Sequence, residues 1–327
     1  MSAQGGSEDQ ATARKPAGSL SRGSRTLLWI TGVWVAILLV YGVSGWLGES
    51  KNEPWKQPNE YDPAVSRDGK WIAFGGGGIH VARIGAAVTR ITNPGKDVDA
   101  YPDWSPDGTR IVFARGRGNE NNSFVAWTLY VVNRDGSGLR QLTQSRGFLG
   151  ESAPSWSPDG NTIAFERRLD GGIYTIDVGG TNERLLVPHG FTPAWSPDGS
   201  RIAFQQDRIG PIAVFDLETQ AVVRVIHGPV AIVGELGEME DPAWSPDGTR
   251  IAFGGESHEI DVVKAGGTGM RRLTHREGID ESPAWTPDGR IVFGRIPIGR
   301  GSMVLYVMNG DGTGVHRLVT RPDVKAG

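Results

Sequence analysis

The sequence predicts an all-β fold, a six-bladed β-propeller of four-stranded antiparallel blades, preceded by one transmembrane helix. Three observations support this prediction. The 327 residues include 48 glycines and 20 prolines, and so many turn-forming residues favour short strands over long helices. A turn of the Ser-Pro-Asp-Gly type recurs six times, at steps of 39 to 52 residues. An uncharged stretch of 22 residues lies near the N-terminus.

The N-terminal part of the chain predicts a membrane anchor. Residues 1–25, rich in Gly, Ser and charge, are expected to form a disordered cytoplasmic tail. Residues 26–47 would form a helix of about 33 Å, enough to cross a hydrocarbon core of ~30 Å. Four basic residues precede them, so the positive-inside rule places the N-terminus in the cytoplasm and everything after the helix outside. Residues 48–59 are expected to be a linker. The predicted location is the cell membrane, single-pass; a cleaved signal peptide and a buried core helix are the alternatives.

The six turns belong to a repeat that predicts one sheet per copy. An alternating strand such as Ile111–Phe113 follows each turn, and several copies close with a second turn and a short strand such as Leu142-Thr143. Four short strands in succession form a meander, so residues 60–320 are expected to make the propeller and residues 321–327 a tail. A tryptophan precedes the turn in five copies, as Trp104, Trp156, Trp195, Trp244 and Trp285.

The repeated residues have mechanical reasons to recur. Proline presets φ for the first central position of a type I turn, aspartate accepts hydrogen bonds from the turn backbone, and glycine supplies the left-handed residue. One sheet cannot bury both its faces, so the units are expected to pack around an axis with tryptophan as the wedge between neighbours. The first copy departs from the pattern, with Val65 in the tryptophan slot and Arg67 in the proline slot. The ring is therefore expected to close by packing alone or by a strand from residues near Trp55.

The repeat Pro-x-Trp-Ser-Pro-Asp-Gly-x-x-Ile-Ala-Phe resembles the WD-like repeat of TolB-type β-propeller proteins, over about residues 60–320. The resemblance implies six blades and, in bacteria, usually an extracytoplasmic location. It also implies a binding platform, in a family whose propellers are also found appended to serine peptidases. We therefore expect a non-catalytic platform for other proteins or envelope components. A small-ligand or glycan sensor, and a lyase or hydrolase working at the channel mouth, are the alternatives.

Loop lengths predict one functional face. The Ser-Pro-Asp-Gly turns never vary in length, whereas the surplus residues all fall on the opposite face. Copies two and six carry insertions between their second and third strands, and the links that follow copies two and four are long. Candidate binding residues on this face are Tyr101, Arg115, Arg117, Phe148, Arg295 and Arg300.

Acidic residues stand just before the innermost strand in most copies, as Glu60, Asp99, Glu151, Glu240 and Asp280. Their position predicts a ring at the mouth of the channel. They would either form a negative funnel for a cation or basic partner, or accept backbone hydrogen bonds that lock neighbouring blades together. The locking interpretation is preferred.

Composition limits the remaining chemistry. The absence of cysteine excludes disulfides, cysteine-ligated zinc and thiol nucleophiles. The six histidines are dispersed and no Gly-x-Ser-x-Gly motif occurs, so no metal, cofactor or catalytic residue is predicted. A formal net charge of −3 does not favour nucleic-acid binding.

Overall fold

Six antiparallel sheets of four strands make up the described part of the chain. The computed structural model describes residues 61–84, 86–118, 124–144, 150–168, 170–207, 210–224, 240–255, 258–275, 277–299 and 302–318. The predicted tail, transmembrane helix and linker, together with Glu60, Phe148 and Arg300, lie outside these ranges. Within them, no helix is long and apolar enough to span a membrane.

The strands follow chain order within every sheet, so each blade is one contiguous meander. The first three blades contain β1 (Tyr61–Val65), β2 (Trp71–Gly75), β3 (His80–Arg83) and β4 (Val88–Arg90); β5 (Val98–Trp104), β6 (Arg110–Gly118), β7 (Phe124–Asn133) and β8 (Arg140–Gln141); β9 (Glu151–Trp156), β10 (Thr162–Arg167), β11 (Gly172–Asp177) and β12 (Arg184–Pro188). The last three contain β13 (Gly190–Trp195), β14 (Arg201–Gln206), β15 (Ile212–Asp216) and β16 (Ala221–Arg224); β17 (Glu240–Trp244), β18 (Arg250–Gly254), β19 (Ile260–Lys264) and β20 (Arg271–Arg272); β21 (Gly278–Trp285), β22 (Arg290–Pro297), β23 (Val304–Asn309) and β24 (His316–Arg317).

The repeated turn has the predicted chemistry. In the second blade the Asp107 carboxylate accepts hydrogen bonds from the Ser105 hydroxyl at 2.6 Å and the Thr109 N–H at 3.0 Å. Gly108 has a φ of 64°, the left-handed region that glycine enters without strain. These hydrogen bonds favour the charged carboxylate and lower the pKa of Asp107 to about 2.

The first strand of each blade lies innermost, and these six strands contact one another in a ring, with β21 contacting β1. Each carries a β-bulge at the same place. There, the residue before the proline has a positive φ of 45–53°, at Asp62, Tyr101, Ala153, Thr192, Asp241 and Ser282. At each bulge, one residue departs from the regular alternation of side chains between the two faces of the strand.

Tryptophans lie between neighbouring blades. Trp104 packs in one apolar cluster with Ile79 and Val81 of the first blade and Phe113 of its own. Trp156, Trp195, Trp244 and Trp285 occupy the same position between later blades. The cluster that joins the last blade to the first contains no tryptophan and is built from smaller side chains such as Phe74, Leu305 and Val307, with Val65 against it. In the described residues the ring therefore closes by side-chain packing, and the residues near Trp55 lie outside them.

Two expectations about strands need correction. The fourth strand of the second blade is Arg140–Gln141, not the Leu142-Thr143 pair. The reason is that the Leu129 N–H donates to the Thr143 hydroxyl, whereas in a longer strand it would donate to a backbone carbonyl. The surplus residues of the second blade also lengthen a hairpin: β6 and β7 pair as far as Gly118 and Phe124. The pairing continues through Arg115 and Arg117, so part of the insertion that the sequence predicted between the two strands is itself strand.

Candidate functional site in the central channel

A cavity of about 510 Å³ occupies the channel between the six innermost strands. Its walls reach from the bulged residues to the Ser-Pro-Asp-Gly face. There, the rim is formed by Arg67 and by five prolines: Pro106, Pro158, Pro197, Pro246 and Pro287. The described cavity therefore reaches the face opposite the long loops. A binding role for the long-loop face stays a prediction.

The bulged residues form one level of this cavity and bring carboxyl groups together. The Ser282 hydroxyl lies 3.1 Å from Asp62 Oδ1 and 2.8 Å from Asp241 Oδ2, which links the first, fifth and sixth blades. The Tyr101 backbone N–H donates to Asp62 Oδ2 at 3.4 Å. A hydroxyl has one proton, so it donates to one carboxylate and accepts from the other carboxyl if that one is protonated.

Burial governs the protonation of this pair. It raises the pKa of Asp62 to about 7, with the negative charge of Asp241 as the next cause. Burial also raises the pKa of Asp241 to about 6, opposed by the hydrogen bond from Ser282. The surroundings of this pair therefore favour its protonated form more than water does.

The negative charge of a third acid near the channel is balanced by an arginine. Glu166 of β10 accepts hydrogen bonds from Arg168 at 2.5 Å, the Ser152 hydroxyl at 2.6 Å and the Thr192 backbone N–H at 3.0 Å. Burial acts to raise the pKa of Glu166, but Arg168 and these hydrogen bonds outweigh it and the pKa is lowered. Burial raises the pKa of the Tyr101 hydroxyl well above its usual range.

Of the predicted acids, Asp99 is fully buried and faces an arginine rather than solvent. The Arg115 guanidinium donates to both its oxygens, at 2.6 and 2.9 Å, from the opposed position on β6. The Thr92 hydroxyl also donates to Asp99 at 2.5 Å and accepts the Ile79 N–H at 2.7 Å. Asp99 therefore joins its own blade to the preceding one through a threonine hydroxyl, where backbone N–H donors were expected.

The pair of acid and arginine recurs in two other blades, and the threonine contact recurs in one of them. Arg167 lies opposite Glu151 with Nε 3.5 Å from Oε1, and Thr143 lies 3.4 Å from the same carboxylate. Arg295 donates to both oxygens of Asp280 at 2.6 and 2.8 Å. Each arginine also lies over two aromatic rings, which are Phe113 and Tyr130, Phe165 and Tyr174, and Phe293 and Tyr306.

Two further predicted residues lie on the first or second strand of a blade. Arg117 is exposed near the end of β6, and Glu240 begins β17. Tyr101 is the predicted site residue that the structure brings to the cavity, where its ring meets Trp127 edge-on at 5.9 Å. Sequence reasoning missed Asp62, Asp241 and Ser282. The available signal was position, because each stands directly before the proline of its repeat.

The donor set of the channel is mostly oxygen. In the described ranges, no group of three or more histidine, cysteine or acidic side chains is placed to hold a metal ion. Two carboxyls and neighbouring hydroxyls can instead accept hydrogen bonds from a ligand that brings its own donors.

A family model described as the TolB beta propeller domain matches residues 173–326. A structure of a putative TolB from Agrobacterium tumefaciens superposes with a TM-score of 0.58 at 22% identity, covering 71% of this chain and 83% of that one. The fold is a six-bladed β-propeller of four-stranded antiparallel blades. The Tol-Pal system protein TolB of Gluconobacter oxydans is 40% identical over 93 residues, 25% of this chain and 18% of that protein. An uncharacterized protein of Agrobacterium fabrum is 29% identical over 133 residues, 37% of this chain.

The propeller also resembles enzymes in its fold. A structure of an oligogalacturonate lyase in complex with manganese superposes with a TM-score of 0.55 at 17% identity, covering 78% of this chain and 77% of that one. Such low identity shows a shared fold alone. The aligned region spans 41% and 18% of the length of the two curated relatives above.

Proposed function

We propose that this protein is a membrane-tethered TolB-type propeller that binds other proteins or envelope components outside the cytoplasm, without catalysing a reaction. The likeness to TolB proteins supports a binding role in the cell envelope. The uncharged residues 26–47, with basic residues before them, support the tether and its orientation.

The observation that carries the proposal is the preformed cavity at the centre of the ring. All six innermost strands contribute to it, and their prolines and buried tryptophans hold its walls in place. A site whose walls are already ordered loses little conformational entropy when a partner binds. Channel-centred binding is therefore the role that this geometry favours.

Site-specific photo-crosslinking of the full chain in cells tests the proposal. A benzoylphenylalanine at position 246, on the cavity rim, should capture a discrete partner that mass spectrometry identifies as an envelope protein. The first copy carries Arg67 in the proline slot, so this slot tolerates a residue other than proline. The matched control is the same group at the exposed Val223 of the outer-edge strand β16. Equal capture at both positions, or none at either, would contradict channel-centred binding.

Fractionation tests the tether. The full chain should sediment with membranes through an alkaline wash, and deletion of residues 26–47 should move it to the supernatant. Protease added outside the cytoplasmic membrane should degrade the propeller, once it is denatured, and spare the N-terminal tail. A full chain that washes off membranes would contradict the anchor.

A small-ligand sensor is the second candidate, because about 510 Å³ lies within the usual range for small-molecule sites. It predicts saturable binding of a small molecule that competes with the rim crosslink. The first ligands to test are a sugar acid and an oligosaccharide, because an oligogalacturonate lyase shares the propeller fold.

A further inference from the structure

Four oxygen-bearing side chains lie on one arc of the cavity, contributed by consecutive blades. In ring order they are Thr192, Asp241, Ser282 and Asp62, all at the bulged position before a proline. Asp241 and Asp62 both contact the single hydroxyl of Ser282, so their nearest oxygens lie no more than about 6 Å apart. A nitrogen with two charge-assisted hydrogen bonds of about 2.8 Å spans such a gap.

In the part of the chain that the structure describes, the two carboxyls on this arc differ from the fully buried acids in lacking an arginine partner. Asp99, Glu166 and Asp280 each have an arginine within 2.6 Å. In the described ranges, neither Asp62 nor Asp241 has an ion pair with a basic side chain. Their described hydrogen-bond donors are the Ser282 hydroxyl and, for Asp62, a backbone N–H. Two partly buried carboxyls without a paired basic side chain are costly to ionise, and a cation at this point would remove that cost.

A polar atom next to the pair also lacks a partner. Thr192 Oγ1 is inaccessible to solvent and makes no hydrogen bond, although Thr192 lines the cavity beside Asp241. A buried hydroxyl without a partner carries a desolvation cost of about 1–3 kcal/mol, which a bound donor would offset. The arc thus offers two carboxyls as acceptors, and rotation of the Thr192 side chain about χ1 would bring its hydroxyl to the ligand as a third.

Charges nearby leave the arc negative. Arg168 also lies near the channel, but its guanidinium is committed to Glu166 at 2.5 Å. On the rim, Arg67 is exposed and donates to the Pro158 carbonyl at 3.4 Å. Glu281 is a further acid near the pair, which adds negative potential. A cation that enters from the rim passes an apolar collar of prolines and ends at carboxyls.

We propose that the cavity binds a primary ammonium group, the side-chain amine of a lysine in an extended partner segment, with Asp62 and Asp241 as its counter-ions and Thr192 as the third acceptor. An ammonium group has three N–H donors, which matches the three acceptors of the arc. The inference rests on the proposed function, because it names the chemistry by which the channel would hold a partner.

A pair of peptides that differ only in the ammonium group tests the inference. The probes are acetyl-Ala-Lys-Ala-amide and acetyl-Ala-norleucine-Ala-amide, titrated against the purified full chain by calorimetry at low salt. The lysine peptide should bind at least about tenfold more tightly, because hydrogen bonds to charged groups contribute about 1.5–3 kcal/mol. This comparison needs no variant. Equal affinity for the two peptides, or no binding of the lysine peptide, would overturn the inference.

Variants locate the site. Asp62→Asn and Asp241→Asn should each weaken the lysine peptide about tenfold or more, and Thr192→Val severalfold, while none of them changes the norleucine peptide. Asp216→Asn, at the end of β15 and outside the cavity lining, is the matched control and should change nothing. Circular dichroism and a melting curve show that each variant is folded. Unchanged lysine affinity in folded Asp62→Asn and Asp241→Asn would overturn the assignment.

Competition with inorganic cations distinguishes an ammonium site from a metal site. Magnesium or calcium chloride at millimolar concentration should displace the lysine peptide only as strongly as its ionic strength predicts. Metal binding that needs both aspartates, with no binding of the lysine peptide, would overturn the inference in favour of a metal. The rim crosslink is the independent readout: if it persists in the folded Asp62→Asn/Asp241→Asn double variant, the binding platform stands and the ammonium assignment fails. If both the crosslink and peptide binding are absent from the unaltered chain, the proposed function fails as well.

Discussion

Single residues differ between blades even where the sequence repeats them. The indole N–H groups of Trp104, Trp244 and Trp285 each donate at 3.1 Å to an alanine carbonyl of the preceding blade. Trp156 and Trp195 have a buried indole N–H without a partner. At these two interfaces the residue in the alanine slot is Asp103 or Ser155, whose side chain accepts the tryptophan backbone N–H instead. A polar side chain thus replaces one interblade hydrogen bond with another.

This difference predicts unequal effects of the same substitution. Trp244→Phe should lower the free energy of unfolding by about 1–2 kcal/mol more than Trp156→Phe, because it leaves the Ala194 carbonyl without its donor. The two sites are well matched, since both rings are buried and an arginine lies over each, Arg201 at 4.8 Å and Arg110 at 5.0 Å. Chemical denaturation measures both values. Equal losses would show that the indole hydrogen bond contributes nothing.

At the level of strands, the first two strands of three blades form a repeated unit of acid, arginine and aromatic rings. Asp99 and Arg115 occupy directly opposed positions on β5 and β6, as do Asp280 and Arg295 on β21 and β22. Spacing along the sequence located these acids correctly before the proline. It could not pair them with arginines 15 or 16 residues away, because that pairing depends on the strand register that the bulge sets.

A prediction about the paired acids distinguishes their two interpretations, as groups that lock neighbouring blades or as a negative funnel. Asp99→Asn should lower the free energy of unfolding by about 3 kcal/mol, because it leaves the partly buried Arg115 without its counter-ion. Asp280→Asn should cost less, because Arg295 keeps the Glu277 carboxylate at 2.5 Å. Capture at rim position 246 should stay unchanged, since neither residue lines the cavity. Denaturation and crosslinking of the double variant measure both. Lost capture at unchanged stability would support the negative funnel instead.

At the level of the whole molecule, the ring closes without a strand shared between the two ends of the described chain. Packing joins the sixth blade to the first, and the contacts of Ser282 with Asp62 and Asp241 add a polar link across the same place. The groups that face this link are Glu281, Glu166, Arg168 and Tyr101. We therefore expect the closure of the ring to depend on the protonation of the carboxyl pair.

Stability should therefore depend on pH. The folded pKa of Asp62, about 7, lies above the ordinary value of 3.8, so the folded state binds more protons than the unfolded state between these values. The stabilisation is complete below about pH 4 and is lost as the pH rises through 7, with a slope of at most about 1.4 kcal/mol per pH unit for one proton. Asp103, whose pKa burial raises to about 7, changes stability in the same direction.

Denaturation curves between pH 5 and 8 measure this effect. The free energy of unfolding should fall over that range, and Asp62→Asn should flatten the fall because the amide does not titrate. Asp216→Asn should keep the slope of the unaltered chain. If Asp62→Asn and the unaltered chain show the same slope, the carboxyl pair is not the cause of the pH dependence.

The sequence by itself determined the number of blades, the order of strands within them, the turn chemistry and the tryptophan wedges. Each of these depends on neighbours along the chain: a proline fixes its own φ, and an alternating strand pairs with the one beside it. Only the tertiary structure decided which side chains meet in the channel, because Asp62 and Ser282 are separated by 220 positions and become neighbours when the ring closes. The bulge before each proline provides the reason, since it sets one residue per strand apart from the alternation that a linear pattern can read.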